Sequence, residues 1–326
     1  MYIKIFNRKK ILRKFNNKYY YRKIHRYTYK KFSSSSIDNQ YLYTSFDYRN
    51  DPENDNLENN PNRINFIHPL RTSQKECEIL SENEEICFMD IGETNQILNS
   101  KQYSMEDIIN HHSKRLEVLQ PYYRPFITHT KGILKNSLDA YIKNNNINST
   151  QSSKHAFIFH IKDYQLTHIN IPYTRGSLYY KDSKDNSTHH IVQLLKDNNG
   201  FLIGTTSVPE FAYCADTRSK IIGITRNPHN PQLTAGGSSG GSAVAISCGI
   251  GHVAICNDGF GAIRIPASMN GLIGIKPRSA LKFGKKNGRL INFGSGSMAY
   301  GTITRTVKDA AFVFDLLLDS GTPRKK

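Results

Sequence analysis

Apolar positions in this chain recur with two different periods, and the two alternate along its second half. In "SMEDIINHHSKRLEVL" the residues Ile108, Ile109, His112, Leu116 and Leu119 share one helical face, and Ser104 with Asp107 three residues on supplies a helix start. "HAFIFHIKD" at 155–163 is instead a short apolar run with aromatic and β-branched residues. That is the pattern of a buried strand, here ending on the charge of Lys162. "GFLIGTTS" at 200–207 predicts a further strand, "SAVAISCGIG" at 242–251 a short helix stopped by glycines, and "HVAIC" at 252–256 the strand after it. "GLIGIKP" at 271–277 is one more strand. In "TVKDAAFVFDLLLDSGTP", Thr306 and Asp309 form a capping box. Val307, Ala310, Ala311, Phe314, Leu317 and Leu318 form its apolar stripe, and Gly321 and Pro323 end the helix. Helices alternating with apolar strands predict an α/β layered fold.

Upstream, neither period is sustained. Residues 37–90 are rich in Asn, Asp and Glu, as in "NDPENDNLENNPNR", and read as a linker or loosely attached extension. The chain therefore divides into a segment 1–36, this stretch, and an ordered domain over 91–326. Within the domain the Asn-rich 144–148 and "KDSKDNSTHH" at 181–190 read as surface loops.

Charge changes the picture only at the N-terminus. The net charge is +17, but twelve of the 44 basic residues precede Asp38, the first acid, which leaves 32 against 27 acids. The body does not call for a nucleic-acid partner. Residues 1–36 are Lys/Arg-rich, acid-free and close on Ser33–Ser36, the composition of a transit peptide for the mitochondrion or another organelle. The alternatives are a cytoplasmic protein with a low-complexity leader, or a basic arm for RNA or a membrane surface, helped by Tyr19, Tyr20, Tyr21, Tyr27 and Tyr29. No apolar run approaches the ~18 residues of a membrane span.

The five cysteines, Cys77, Cys87, Cys214, Cys248 and Cys256, are widely spaced with no Cys-x-x-Cys pair, so neither zinc nor a disulfide scaffold is indicated. His111 and His112 point in different directions on their helix and read as solvated or face-lining residues.

"AGGSSGGSA" at 235–243 alone would suit a flexible linker, but an apolar helix and strand follow at once. Together, "NPHNPQLTAGGSSGGSAVAIS" and "NDGFGAIRIPASMNGLIGIKP" resemble the amidase signature family of serine hydrolases. "FHIKDYQLTHINIP" and "GTTSVPEFA" agree with that family's lysine-bearing strand and Thr-Asn-x-Pro-Glu-Phe segment. "GITRNPHNP" is closer to general amidases than to the subunit that makes glutaminyl-tRNA.

The resemblance implies an α/β domain with a mixed central sheet flanked by helices. It also implies hydrolysis of a small-molecule amide by a Ser-cisSer-Lys triad, through an acyl-serine and without cofactor or metal. By motif, Lys162 is the base and Ser238 the bridging serine. The nucleophile position is Ala262, and the backbone N–H groups of Gly259, Phe260, Gly261 and Ala262 are the oxyanion donors. Taken alone, Lys162 is a surface lysine at a strand end; in the family's setting it is buried, its pKa depressed so that it can act as base. Asp258 and Arg264 read as a structural pair holding the glycine-rich loop.

Three departures matter. Ala262 has no hydroxyl, so the acyl-serine route is closed. Phe260 stands where the family has glycine, which strains the loop if that position needs a positive φ. The family's domain normally continues beyond the helix that ends near Ser320, so 91–326 reads as incomplete. The leading expectation is an amidase-family chain with hydrolysis lost or strongly impaired. The others are an active amidase using Ser238 or carrying an alanine by sequence error, and a basic RNA- or membrane-surface-binding protein. A tagged fusion should enter an organelle with residues 1–36 in place and remain in the cytoplasm without them, as read by microscopy.

Overall fold

The computed structural model of the protein describes residues 80–319, apart from 82–83, 130–133, 136, 140, 143–154, 170, 279–281, 287–288 and 293–295. The segment 1–36, most of 37–90, the Asn-rich stretch at 144–148 and the stop signals at Gly321 and Pro323 lie outside the described residues.

Six strands form one mixed sheet: β1 (Phe126–His129), β2 (Phe157–Lys162), β3 (Gly200–Thr206), β4 (Val253–Asp258), β5 (Ile273–Ile275) and β6 (Ala299–Thr304), in the order β1-β3-β2-β4-β6-β5. The central three, β3-β2-β4, run parallel. β1 is antiparallel to β3, and β6 is antiparallel to both β4 and β5. Every residue of β2 is buried. Ile158 faces one apolar cluster, while Phe157, Phe159 and Ile161 face the other, so both sides of this strand are covered. A parallel strand packed on both faces needs an unbroken apolar run, which is why "FIFHI" lacks a polar alternation.

Helices supply the two covers. α1 (Glu84–Phe88), α2 (Ile91–Asn99), α3 (Met105–Tyr123), α4 (His190–Asp197), α5 (Gly240–Ser247), α6 (Arg264–Met269) and α7 (Val307–Asp319) surround the sheet. α3 begins with the expected capping box between Ser104 and Asp107. α5 is buried at all eight positions, which accounts for its all-round small and apolar sequence. Arg305, just after β6, donates to the carbonyls of Ile246 (3.1 Å), Gly251 (2.8 Å) and Met89 (3.2 Å), stitching α5 and the N-terminal helices to the sheet.

Four helices depart from the sequence reading; α6, after the glycine-rich loop, has no predicted counterpart. α1 lies inside the stretch taken as an extension, where it buries Ile86 and Cys87. α2 is set by a capping box of Asp90 and Glu93. It buries Thr94 and Asn95, so its inward face is partly polar and carries little apolar period. Asn95 donates to Ile91 O (2.7 Å) and Ala156 O (2.8 Å), and the Ile91 amide donates to Asp309 of α7 (2.8 Å). α4 starts at the final histidine of the loop 181–190, and His189 caps it. Both the polar inward face and the histidine cap lack the usual cues.

Removing a fully buried aromatic from β2 leaves a large cavity. Phe159→Ala should destabilise the fold by roughly 3–5 kcal/mol, measured as a lowered midpoint in denaturant unfolding.

Candidate active site

The parallel strands β2 and β4 end at the same edge of the sheet, and open α/β sheets place their sites at such an edge. β2 delivers Lys162 there, β4 delivers Asn257 and Asp258, and the turn ahead of α5 delivers Ser238. The lysine is 1% exposed. Its Nζ lies 2.7 Å from Ser238 Oγ, 2.8 Å from Asn257 Oδ1 and 3.4 Å from Asn257 O. Burial lowers its pKa from the ordinary 10.5 to about 8, against the opposing pull of Cys256 and Asp258. It is therefore no surface lysine, and about a tenth of it is neutral at pH 7.

The serine turn is shaped by its neighbours. Thr217 Oγ1 donates to Gly236 O (2.8 Å) and accepts from the Gly240 amide (3.0 Å). A Cβ on Gly237 would lie 2.6 Å from Cys214 O and Ala215 C, so only glycine fits where the turn meets the 214–216 backbone. The Gly237–Ser238 peptide is cis, the geometry implied by the resemblance, and Ser238 is 3% exposed. The Ser239 amide donates to Ala262 O (3.2 Å), which ties the serine turn to the glycine-rich loop.

That loop is braced by one carboxylate. Asp258 accepts from the amides of Gly261 (2.6 Å) and Ile263 (3.1 Å), and from Arg264 Nε (2.9 Å) and Nη2 (3.0 Å). Burial alone would raise the Asp258 pKa, but the Arg264 guanidinium and the loop amides outweigh it and hold the carboxyl below its usual range. The expected structural pairing of Asp258 with Arg264 is present. The Gly261 amide, one of the four expected oxyanion donors, points to Asp258; Gly259, Phe260 and Ala262 remain as candidates for that role.

Phe260 is not strained. It lies outside the left-handed region, and its side chain is 93% exposed. The unusual backbone belongs to Gly261, at φ 110°, where an added Cβ would meet Ile265 Cδ1 at 2.6 Å. The loop thus accepts a bulky residue at 260 and demands glycine at 261. Ala262 is half-buried beside it, with only a methyl to present.

Sequence reasoning did not single out Asn257, although it sits inside the quoted motif. Its Nδ2 donates to Tyr164 O (3.2 Å) and Gln165 Oε1 (2.8 Å). Gln165, with Tyr173, His189, Met298 and Tyr300, also lines a cleft of about 740 Å³ beside the lysine network. Thr217 carried no sequence signal at all, because its role depends on a contact with a distant turn. Among the described residues, no cluster of three or more His, Cys, Asp or Glu side chains could hold a metal ion. None of their helices is long and apolar enough to cross a membrane.

A family model described as Amidase matches residues 107–326, the span that contains every element of this site. The chain belongs to the amidase family. Among its relatives, a glutamyl-tRNA(Gln) amidotransferase subunit of Lactiplantibacillus plantarum is 40% identical over 128 residues, or 39% of this chain and 26% of that protein. A putative amidase AmiB2 of Mycobacterium bovis is also 40% identical, over 130 residues, covering 40% of this chain and 27% of the relative. The solved structure of 6-aminohexanoate cyclic dimer hydrolase with substrate aligns at a TM-score of 0.62 and 25% identity, over 73% of this chain and 48% of that one. The chain spans about half or less of the length of these relatives. Its mixed sheet flanked by helices is the fold of amidase-family structures.

The depressed lysine has a stability consequence. Between pH 8 and 10.5 the unfolded chain holds the Lys162 proton more firmly than the folded chain, so stability rises as pH climbs through that window. The stability of the natural chain minus that of Lys162→Met should rise by roughly 3 kcal/mol across it and be flat below, as measured by urea unfolding at stepped pH.

Proposed function

We propose that this chain is an amidase-family protein that binds a small carboxamide and has lost, or nearly lost, its hydrolysis by the serine route. The observation that carries the reading is the pairing of an assembled base with an absent nucleophile: Lys162 Nζ stands 2.7 Å from Ser238 Oγ, while position 262 offers a methyl. In the family's reaction, a neutral lysine takes a proton through the bridging serine from the nucleophilic hydroxyl. That hydroxyl then adds to the carbonyl, and backbone amides meet the oxyanion. The Lys162–Ser238 contact supports acceptance of that proton, but residue 262 has no hydroxyl to give it. Losing such a nucleophile costs about a million-fold in rate, or ~8 kcal/mol of barrier. A residual enhancement of about 10³–10⁴ over water is what binding and oxyanion donors supply alone. The carboxamide ligand class is in keeping with relatives named as an amidase and a cyclic dimer hydrolase.

The same 2.7 Å contact supports a second reading, in which Ser238 attacks directly with Lys162 as its base. Against it, the candidate oxyanion donors gather around residue 262. Residues 1–36 give the basic-arm reading no structural support, since they lie outside the described residues.

Ala262→Ser separates the two main readings. A serine-reactive fluorophosphonate probe should leave the natural chain unlabelled and label the variant at residue 262, with hydrolysis of small carboxamides appearing alongside. Labelling of the natural chain at Ser238 would overturn the loss of activity in favour of direct attack.

A further inference from the structure

We propose that Asn257 is a positioning residue that aims the lone pair of the Lys162 amine at Ser238, through two acceptor oxygens that occupy the amine's other directions. This deepens the reading of Lys162 as the base and rests on it.

The reasoning is a count of hydrogen-bonding capacity around one nitrogen. Lys162 Nζ has three polar neighbours: Ser238 Oγ at 2.7 Å, Asn257 Oδ1 at 2.8 Å and Asn257 O at 3.4 Å. A neutral amine carries two N–H groups and one lone pair, and carbonyl oxygens only accept. With both asparagine oxygens as acceptors, the two N–H groups turn toward Asn257 and the lone pair is left for the Ser238 hydroxyl proton. In the ammonium state all three hydrogens have acceptors, because Ser238 Oγ accepts the third. The same cage therefore serves both protonation states, with only the Ser238 hydroxyl reversing its direction.

The orientation of the Asn257 amide follows from its far side. Its NH₂ group donates to Tyr164 O at 3.2 Å and to Gln165 Oε1 at 2.8 Å. A flipped amide would set its oxygen against the Tyr164 carbonyl and its NH₂ against the lysine amine, so the network fixes Oδ1 toward the lysine. Asn257 is 1% exposed, so water does not compete for these bonds. The main-chain oxygen that completes the cage belongs to the same residue, and β4 holds it in register with Tyr300 of β6.

The other groups acting on this amine are Asp258 and the Cys256 thiol on β4, and the Tyr164 ring, whose centroid lies 6.0 Å from Nζ. Asp258 is engaged by Arg264 and the loop amides, which leaves the neutral Asn257 oxygens as the direct partners. A carboxylate at 257 would hold the lysine protonated, and an apolar side chain would leave one N–H without its acceptor. Asparagine supplies an acceptor and no charge.

The alternative is that Asn257 only braces the 164–165 turn, in which case Lys162 would not sense its replacement. The full chain, labelled in its lysine side chains and observed by NMR, reports the Lys162 titration directly once that signal is assigned with Lys162→Met. No turnover is needed, so the outcome is independent of whether Ala262→Ser gains activity. Asn257→Asp should raise the midpoint by about one pH unit or more, the usual effect of an opposite charge at this range. Gln165→Leu, at an exposed position, releases the amide clamp and should lower the midpoint by a smaller amount. A midpoint unchanged in folded Asn257→Asp overturns the proposal. If that variant does not fold, an unchanged midpoint in Gln165→Leu overturns it equally. Should both midpoints move as stated, adding Asn257→Asp to the Ala262→Ser chain should shift the alkaline rise of its pH–rate profile upward.

Discussion

Everything at this sheet edge depends on taking one ammonium-bearing side chain out of water. Desolvation is what depresses the Lys162 pKa, and it is also what makes the site expensive to fold. The protein meets that demand with oxygen atoms close to Nζ rather than with a countercharge. Ser238 and Asn257 give three polar contacts within 3.4 Å, while the nearest carboxylate on the same strand is bound to Arg264 and the loop amides. A closer acid would stabilise the cation and raise the pKa, so the neutral cage and the depressed pKa go together.

The surroundings can be understood as supports for that arrangement. β2 must be apolar on both faces to exclude water from its last residue, and the two clusters on either side of Phe157–Ile161 achieve this. β4 must lie parallel to β2 so that its end meets Lys162, and the serine turn must come close enough to contact the amine. Gly237 permits the close approach, and Thr217 fixes the turn from a separate segment. Arg305 fastens the helix behind the turn to the strands and to Met89. Long-range contacts of this kind leave the site sensitive to changes far away in sequence.

Much of this was legible in the chain because it rests on local pattern. The apolar run before Lys162, the glycine-serine stretch and the loop after β4 all announce themselves, and the predicted strands and the 104–119 helix occupy nearly their expected bounds. The Asp258–Arg264 pair was readable from spacing within one loop. Besides the short elements β1, β6 and α6, what escaped had a polar face or a distant partner. α2 buries Thr94 and Asn95, α4 takes a histidine cap, and Asn257 is defined by a lysine 95 residues away. For Phe260 the strain was conditional on a positive φ, and that condition is not met. A motif fixes which residue aligns with a glycine, whereas the backbone dihedral decides which residue must be one, and that is Gly261.

The brace around Asp258 has a consequence for how such a protein changes over time. The loop at 258–264 is held by main-chain amides, by Arg264 and by the Ser239 bond to a backbone oxygen at residue 262. None of these bonds involves the side chain at 262. Selection for a folded, long-lived protein therefore acts on Asp258, Gly261 and Arg264 and is blind to the side chain at 262. A serine and an alanine at 262 are therefore nearly equivalent to the fold, and the loop keeps its shape with either.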